Sequence, residues 1–198
     1  EVNLCPNLTV AENLFIGREP RKAGLIDWKT MNKRAAKLLQ DLDIHADVTQ
    51  TIDNYSIAIQ QMIAIARAVD MKCKVLILDE PMAGLDPSGR EEMLTLLSKL
   101  YEERQISIVL VSHNMDDVAK YADRILVMNE GELVLDGVPK KVFHYQDELE
   151  QIGLGVPQMT HLIHRLEKET GCRLGDAITL EEGLPLIEQW WHAKGTSR

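Results

Sequence analysis

The chain has 198 residues, 45% of them apolar, with 22 Lys+Arg against 31 Asp+Glu for a formal net charge of −9. That length suits one domain, or one domain with a small appendage, and the apolar share supports a real core. The acidic balance and the scarcity of aromatics (5%) argue against a sequence-independent nucleic-acid surface, which needs phosphate neutralisation and base stacking.

Residues 1–28 place the turn formers Pro6, Asn7, Gly17, Pro20 and Gly24 around one short amphipathic piece, TVAENLFI. Thr9 stands as its N-cap, with Glu12 at capping-box spacing. DWKTMNKRAAKLLQDL sets Met31, Ala35, Leu38, Leu39 and Leu42 on one helical face. SIAIQQMIAIARAV predicts a second helix, capped by Ser56, apolar around most of its surface and therefore buried. The pattern then changes. KVLIL is a continuous apolar run, which predicts a strand covered on both faces. SGREEMLTLLSKLYEER predicts a helix with Met93, Leu96, Leu97, Leu100 and Tyr101 on one stripe, and ISIVLVS another buried strand. MDDVAKYAD predicts a short helix, and RILVMNEGELVLDG a hairpin about Glu130-Gly131. Beyond Gly137 the pattern is mostly helical, with loops at GLGVPQ and GCRLGD. Strand, helix, strand, helix and hairpin in that order imply an α/β fold with parallel central strands.

The three cysteines, Cys5, Cys73 and Cys172, form no CxxC and no disulfide framework, which fits a reducing compartment. No run approaches the roughly 18 apolar residues of a membrane span. The chain starts at Glu1 without an initiator Met, so processing or truncation is expected.

In open α/β sheets ligands bind at the carboxyl ends of the strands. Asp79 and Glu80 follow the VLIL strand directly, and His113 ends the next one, ISIVLVSH. Hydrolysis of a phosphoanhydride needs one acid to hold Mg²⁺ through water and a second to orient or deprotonate the attacking water. A histidine on the neighbouring strand tip can contact the γ-phosphate or that water. His161 and His164 stand three apart with Glu167 on the next turn, a spacing open to a metal face, although a plain surface helix is the favoured reading. Trp190-Trp191 reads equally as a partner anchor or as a terminal helix docking on its own domain.

VLILDEPMAGLDP followed by VLVSH resembles the Walker B, D-loop and H-loop series of the ATP-binding cassette (ABC) ATPases. The resemblance implies that Asp79 is the Walker B aspartate, holding Mg²⁺ through water, and Glu80 the catalytic glutamate. It makes Asp86 the D-loop aspartate and His113 the switch histidine; Met82 stands where Thr or Ser is usual. YSIAIQQMIAIARAV resembles the ABC signature and its helix, with Ser56 kept, Ile57 and Ala58 in place of glycines, and Ile59 in place of the glutamine. That segment aims a serine hydroxyl and helix N-terminal N–H groups at a γ-phosphate. The opening EVNLCPNLTVAENLFIGREP is similar to sugar-importer ATPases, where it follows the Q-loop glutamine. GELVLDGVPKKVF, LEQIGLGVPQMTHLIHRLEKETG and AITLEEGLPLI instead resemble energy-coupling-factor (ECF) importer ATPases. Two subfamilies meeting in one chain raise the expectation of a chimeric or recombined sequence joined in VLILDEP.

The phosphate cradle of this fold needs GxxxxGK[ST]. No such run occurs; GREPRKAG and AKGTSR lack the Gly-Lys-Ser/Thr order. The expected architecture is therefore an N-terminally truncated P-loop NTPase fold of the ABC type. It would comprise a partial helical and signature subdomain at 1–70, a Walker B/D-loop/H-loop core at 71–140 and an ECF-like helical extension at 141–198. The resemblance implies ATP and Mg²⁺ as cofactors, a second ATPase subunit paired head to tail, and a transmembrane transporter component. It implies a peripheral position on the cytoplasmic face of the cell membrane and import of a small solute: a vitamin, a metal ion or a sugar. Without the cradle, the chain alone is expected to bind ATP weakly and not to turn it over. The alternatives are a non-hydrolysing ABC-like fragment or interaction module acting through the dimer face, and an ABC ATPase of repair or translation that never meets a membrane.

Overall fold

Thr9 opens the first regular element in the way its sequence demands. Its hydroxyl accepts the Glu12 N–H (3.2 Å) while the Glu12 carboxylate accepts the Thr9 N–H (2.8 Å), a complete capping box at the start of α1 (Val10–Phe15). The computed structural model describes residues 4–195, so residues 1–3 of the opening stretch and 196–198 of AKGTSR lie outside the described residues. The chain divides into two compact units, residues 1–111 and 112–198, each with its own core.

In the first unit, α1 is followed by a small hairpin, β1 (Arg21–Lys22) and β2 (Leu25–Ile26), then by α2 (Trp28–Asp41). The hairpin turns on Ala23 (φ 51°) and Gly24 (φ 83°), two left-handed residues, as a two-residue hairpin loop requires. Sequence reading placed only turn formers here: with two residues per strand, no alternation exists to detect. The buried Asn13 staples the preceding loop to α1, accepting from Cys5 N–H (2.7 Å) and donating to the carbonyls of Cys5, Leu8 and Thr9. A 3₁₀ turn (Ile52–Asn54) leads into α3 (Ile57–Asp70). Helices α1, α2 and α3 pack together through Phe15, Met31, Ala35, Leu39, Ile63 and Ala66.

Next come β3 (Val75–Asp79), α4 (Pro87–Arg104) and β4 (Ser107–Val111). β3 and β4 pair in parallel, Val75 with Ser107 through Asp79 with Val111, so the expected parallel βαβ unit is present. The expected coverage is not. Leu76 is buried and Leu78, Ile108 and Leu110 pack on the core, but Val75, Ile77, Val109 and Val111 are exposed. Both strands are covered on one face only, and their apolar runs do not report full burial. The α4 stripe is buried at Met93, Leu96, Leu97 and Leu100, but Tyr101, expected on it, is exposed: it lies one residue beyond Leu100, on the flank of the stripe.

The second unit begins with α5 (Met115–Tyr121) and the antiparallel hairpin β5 (Ile125–Asn129) and β6 (Glu132–Gly137). Glu130 (φ 50°) and Gly131 (φ 84°) make its turn, at the position read from sequence. Four helices follow: α6 (Pro139–Phe143), α7 (Gln146–Gln151), α8 (Gln158–Thr170) and α9 (Leu180–Gly195). Val142, Phe143, Leu149 and Ile178 build one core cluster, and Met159, Ile163 and Ala177 a second. α9 passes close over α8 at Gly183: a Cβ there would lie 2.1 Å from the Met159 sulfur, so a larger residue would require that flexible side chain to shift.

Candidate functional site

Asp79 is the last residue of β3, exposed, at the carboxyl end of the parallel pair. The Glu80 N–H donates to the Val111 carbonyl (3.0 Å), so the backbone holds to β4 for one more residue and then turns. Glu80 makes that turn with φ 46°, a conformation that costs a non-glycine residue about 1 kcal/mol. The turn is closed by Ala83 N–H donating to Glu80 O (3.0 Å) and Leu85 N–H to Met82 O (3.3 Å), with Pro81 and Met82 buried. The two acids thus stand on a hydrogen-bonded corner that fixes the backbone of Glu80. Strain retained at a strand tip marks a position that its surroundings over-determine.

Asp86 ends the same turn and caps α4, its Oδ1 accepting the Gly89 N–H (3.0 Å), with Pro87 at the first helical position. Ser56 caps α3 in the same way, its hydroxyl oxygen facing the Ile59 N–H at 3.4 Å. Ile57, in place of a signature glycine, is 56% exposed. The two helix starts lie side by side: a Cβ built on Gly89 would fall 2.8 Å from Ala58 Cβ and 2.8 Å from Asp86 Oδ1. Sequence reading overlooked this contact. Its signal is a small residue in the first turn of each helix, Ala58 and Gly89, which lets the backbones approach.

His113 belongs to the other unit. β4 stops at Val111, so this histidine is not the strand-end residue the sequence suggested; it is exposed, directly before Asn114, the N-cap of α5. Asp79, Glu80, Asp86 and Ser56 all lie in the first unit.

The His161/His164/Glu167 face is occupied by structural roles. His164 Nδ1 meets Gln146 Oε1 at 2.9 Å, and Glu167 Oε1 accepts the N–H groups of Leu174 (2.6 Å) and Gly175 (3.1 Å). Among the described residues no group of three or more His, Cys, Asp or Glu is placed to hold a metal ion, and no helix is long and apolar enough to cross a membrane.

Residues 1–83 match the ABC transporter family model, a span that takes in the α3 segment and the Asp79-Glu80 corner. A solved structure of cbiO1 from Clostridium perfringens, described as part of the ABC transporter complex cbiONQ, superposes with a TM-score of 0.62 at 32% identity, over 82% of this chain and 63% of that one. The chain belongs to the ABC transporter ATPases. Among curated ABC proteins, the galactofuranose transporter ATP-binding protein YtfR of Escherichia coli K12 is 42% identical over 165 residues, covering 83% of this chain and 32% of that protein. The energy-coupling factor transporter ATP-binding protein EcfA2 of Clostridium perfringens is 44% identical over 172 residues, covering 86% of this chain and 59% of that protein. The chain therefore spans about a third to three-fifths of the length of these ABC relatives. A sugar-type and an ECF-type relative each align across more than four-fifths of it, so the extent of the matches gives no support to a joint in VLILDEP.

Proposed function

We propose that this chain supplies the hydrolytic half of an ATP site in an importer, acting as an ATP-binding cassette subunit that couples hydrolysis to uptake of a small solute. The observation that carries the reading is the strained corner at the end of β3. It presents Asp79 and Glu80 together at the carboxyl end of a parallel pair and leads through a hydrogen-bonded turn to Asp86. The donor set fits a hydrated Mg²⁺, a hard ion that takes oxygen ligands and keeps several waters. Bound there, Mg²⁺ would neutralise the phosphate oxygens of ATP. Asp79 would hold it through water and Glu80 would accept a proton from the attacking water; the switch role of His113 rests on the sequence resemblance alone. Ser56 and Asp86 would meet a nucleotide across a subunit boundary, from neighbouring helix starts.

On this reading the partners are a second ATPase subunit, identical or different, and a transmembrane component, with the protein peripheral on the cytoplasmic face of the membrane. The similarity to importer subunits of both sugar and ECF types supports the transport role. The proposed solute is a small one, a sugar, a vitamin or a metal ion; the name of the galactofuranose transporter relative supports a sugar. The chain as given has no GxxxxGK[ST] run. The second reading is a module that works through the dimer face without turnover of its own.

Mg²⁺-dependent ATP hydrolysis separates the two. The chain alone is expected to show no turnover, whereas mixing with a cassette that carries the cradle restores it. Glu80→Gln should then abolish the restored rate, a loss of at least about 100-fold. A mixture as inactive as the chain alone rejects the first reading, and an unchanged rate with Glu80→Gln rejects Glu80 as the base.

A further inference from the structure

The charge of this chain is not spread evenly. Residues 18–37 hold seven Lys and Arg against two acids, in a chain whose net charge is −9. Both acids of the segment are turned onto backbone donors: Glu19 accepts the Gly17 N–H (2.8 Å) and Asp27 the Thr30 N–H (3.1 Å). Arg18 and Arg34 turn onto Asp70, at 2.6 and 3.8 Å, while Arg21, Lys22, Lys29, Lys33 and Lys37 are exposed and form no ion pair among the described residues. On α2 the buried stripe is Met31, Ala35 and Leu39, while Lys29, Lys33 and Lys37 repeat with the same spacing two residues out of phase. Two residues of α-helix are about 200° of rotation, so the lysine stripe lies on the opposite face from the core. The β1–β2 hairpin adds exposed Arg21 and Lys22, and beside them stand the apolar side chains of Leu25 (76% exposed) and Trp28 (49% exposed).

We infer that the β1–β2 hairpin and the outer face of α2 form a docking surface for anionic phospholipid. The observation behind this is charge complementarity confined to one edge. The rest of the chain is more acidic than the whole and is repelled by an anionic surface, so the field turns this edge toward one. Juxtaposed lysines and arginines gain attraction from such a surface within a Debye length. Leu25 and Trp28 add single apolar groups among the cations, suited to shallow entry at headgroup depth. The inference does not depend on the ATP site, and its test does not use ATP.

The full chain is sedimented with vesicles of phosphatidylcholine alone and with vesicles containing about 30% phosphatidylglycerol, at low and high salt. Binding is expected to the second vesicles only and to fall steeply between about 0.05 and 0.5 M salt. The variant Lys29→Gln/Lys33→Gln/Lys37→Gln should weaken it on the order of 100-fold, and Leu25→Ser/Trp28→Ala should weaken it too. A control with three exposed lysines changed elsewhere, Lys72→Gln/Lys120→Gln/Lys168→Gln, should bind as the unmodified chain does. All five positions on the edge are exposed, and circular dichroism is the check that each variant is folded. Equal binding to both vesicles, binding to neither, or equal loss in the control overturns the inference. So does binding to polyglutamate or to an RNA oligonucleotide without binding to vesicles.

Discussion

The β3–β4 pair has two faces of nearly the same chemistry and opposite surroundings. Leu76, Leu78, Ile108 and Leu110 pack into the core of the first unit; Val75, Ile77, Val109 and Val111 stand in solvent, Ile77 at 70% exposure. Paired residues in a parallel ladder share a face, so these exposed side chains form one contiguous apolar patch along the register Ile77–Val109 and Asp79–Val111. The patch ends at Asp79, the first acid of the candidate site. The difference teaches that an apolar strand is a statement about which environments it tolerates. What covers it is decided by other segments. A patch of this kind on a folded unit is a surface for association or aggregation.

The largest expected effect separates the two faces by one residue. Leu76→Ala opens a cavity in the core and should cost about 2–4 kcal/mol in urea denaturation. Ile77→Thr, its chain neighbour on the open face, should change stability by less than about 0.5 kcal/mol and lower the binding of a hydrophobic dye. An Ile77→Thr penalty as large as that of Leu76→Ala would break the comparison, because it would mean the open face is covered in solution.

An intermediate effect is expected where the covered side reaches the site. Gly89 lets the first turns of α3 and α4 touch, and a Cβ at 2.8 Å from both Ala58 and Asp86 forces one helix to move. Gly89→Ala should destabilise by about 1–3 kcal/mol, an overpacking penalty. Ala58→Gly in the same chain should recover part of it, since it removes one of the two clashing atoms. Denaturation of the single and double variants checks the coupling, and additive losses would show that the two helix starts do not depend on this contact.

The helices of the first unit were legible from their apolar patterns and, for α1 and α3, from the caps Thr9 and Ser56; Asp27 and Asp86, not read as caps from sequence, also accept a first-turn N–H. The acids of the site were legible for a different reason, since a carboxylate pair directly after an apolar run marks a strand tip. Three things were not. The left-handed corner at Glu80 depends on hydrogen bonds to Val111 and Ala83, which no local pattern encodes. The end of β4 at Val111, short of His113, depends on where its partner strand stops. The basic edge at residues 18–37 was hidden by averaging, because a net charge of −9 conceals a local excess of cations.

The smallest expected effect concerns how α4, the helix over the covered face, is tied to the chain after α2. The Asp43 carboxylate accepts a hydrogen bond from Lys99, and this bond, with the attraction of the ammonium, holds its pKa below the ordinary 3.8. A folded-state pKa below the unfolded one means that the contribution is complete above about pH 4 and is lost as pH falls through the folded value. Arg124 does the same to Asp136 in the second unit. Both pairs are at the surface, so each contribution is small and screened by salt. Asp43→Asn should therefore lower the urea midpoint slightly at pH 7, and asparagine tolerates the left-handed φ of 57° at this position. The gap between variant and unmodified chain should be constant from pH 8 to about 5 and close below about 4. A gap that persists at pH 3 would mean the carboxylate acts through its shape and hydrogen-bond geometry, with no share from its charge.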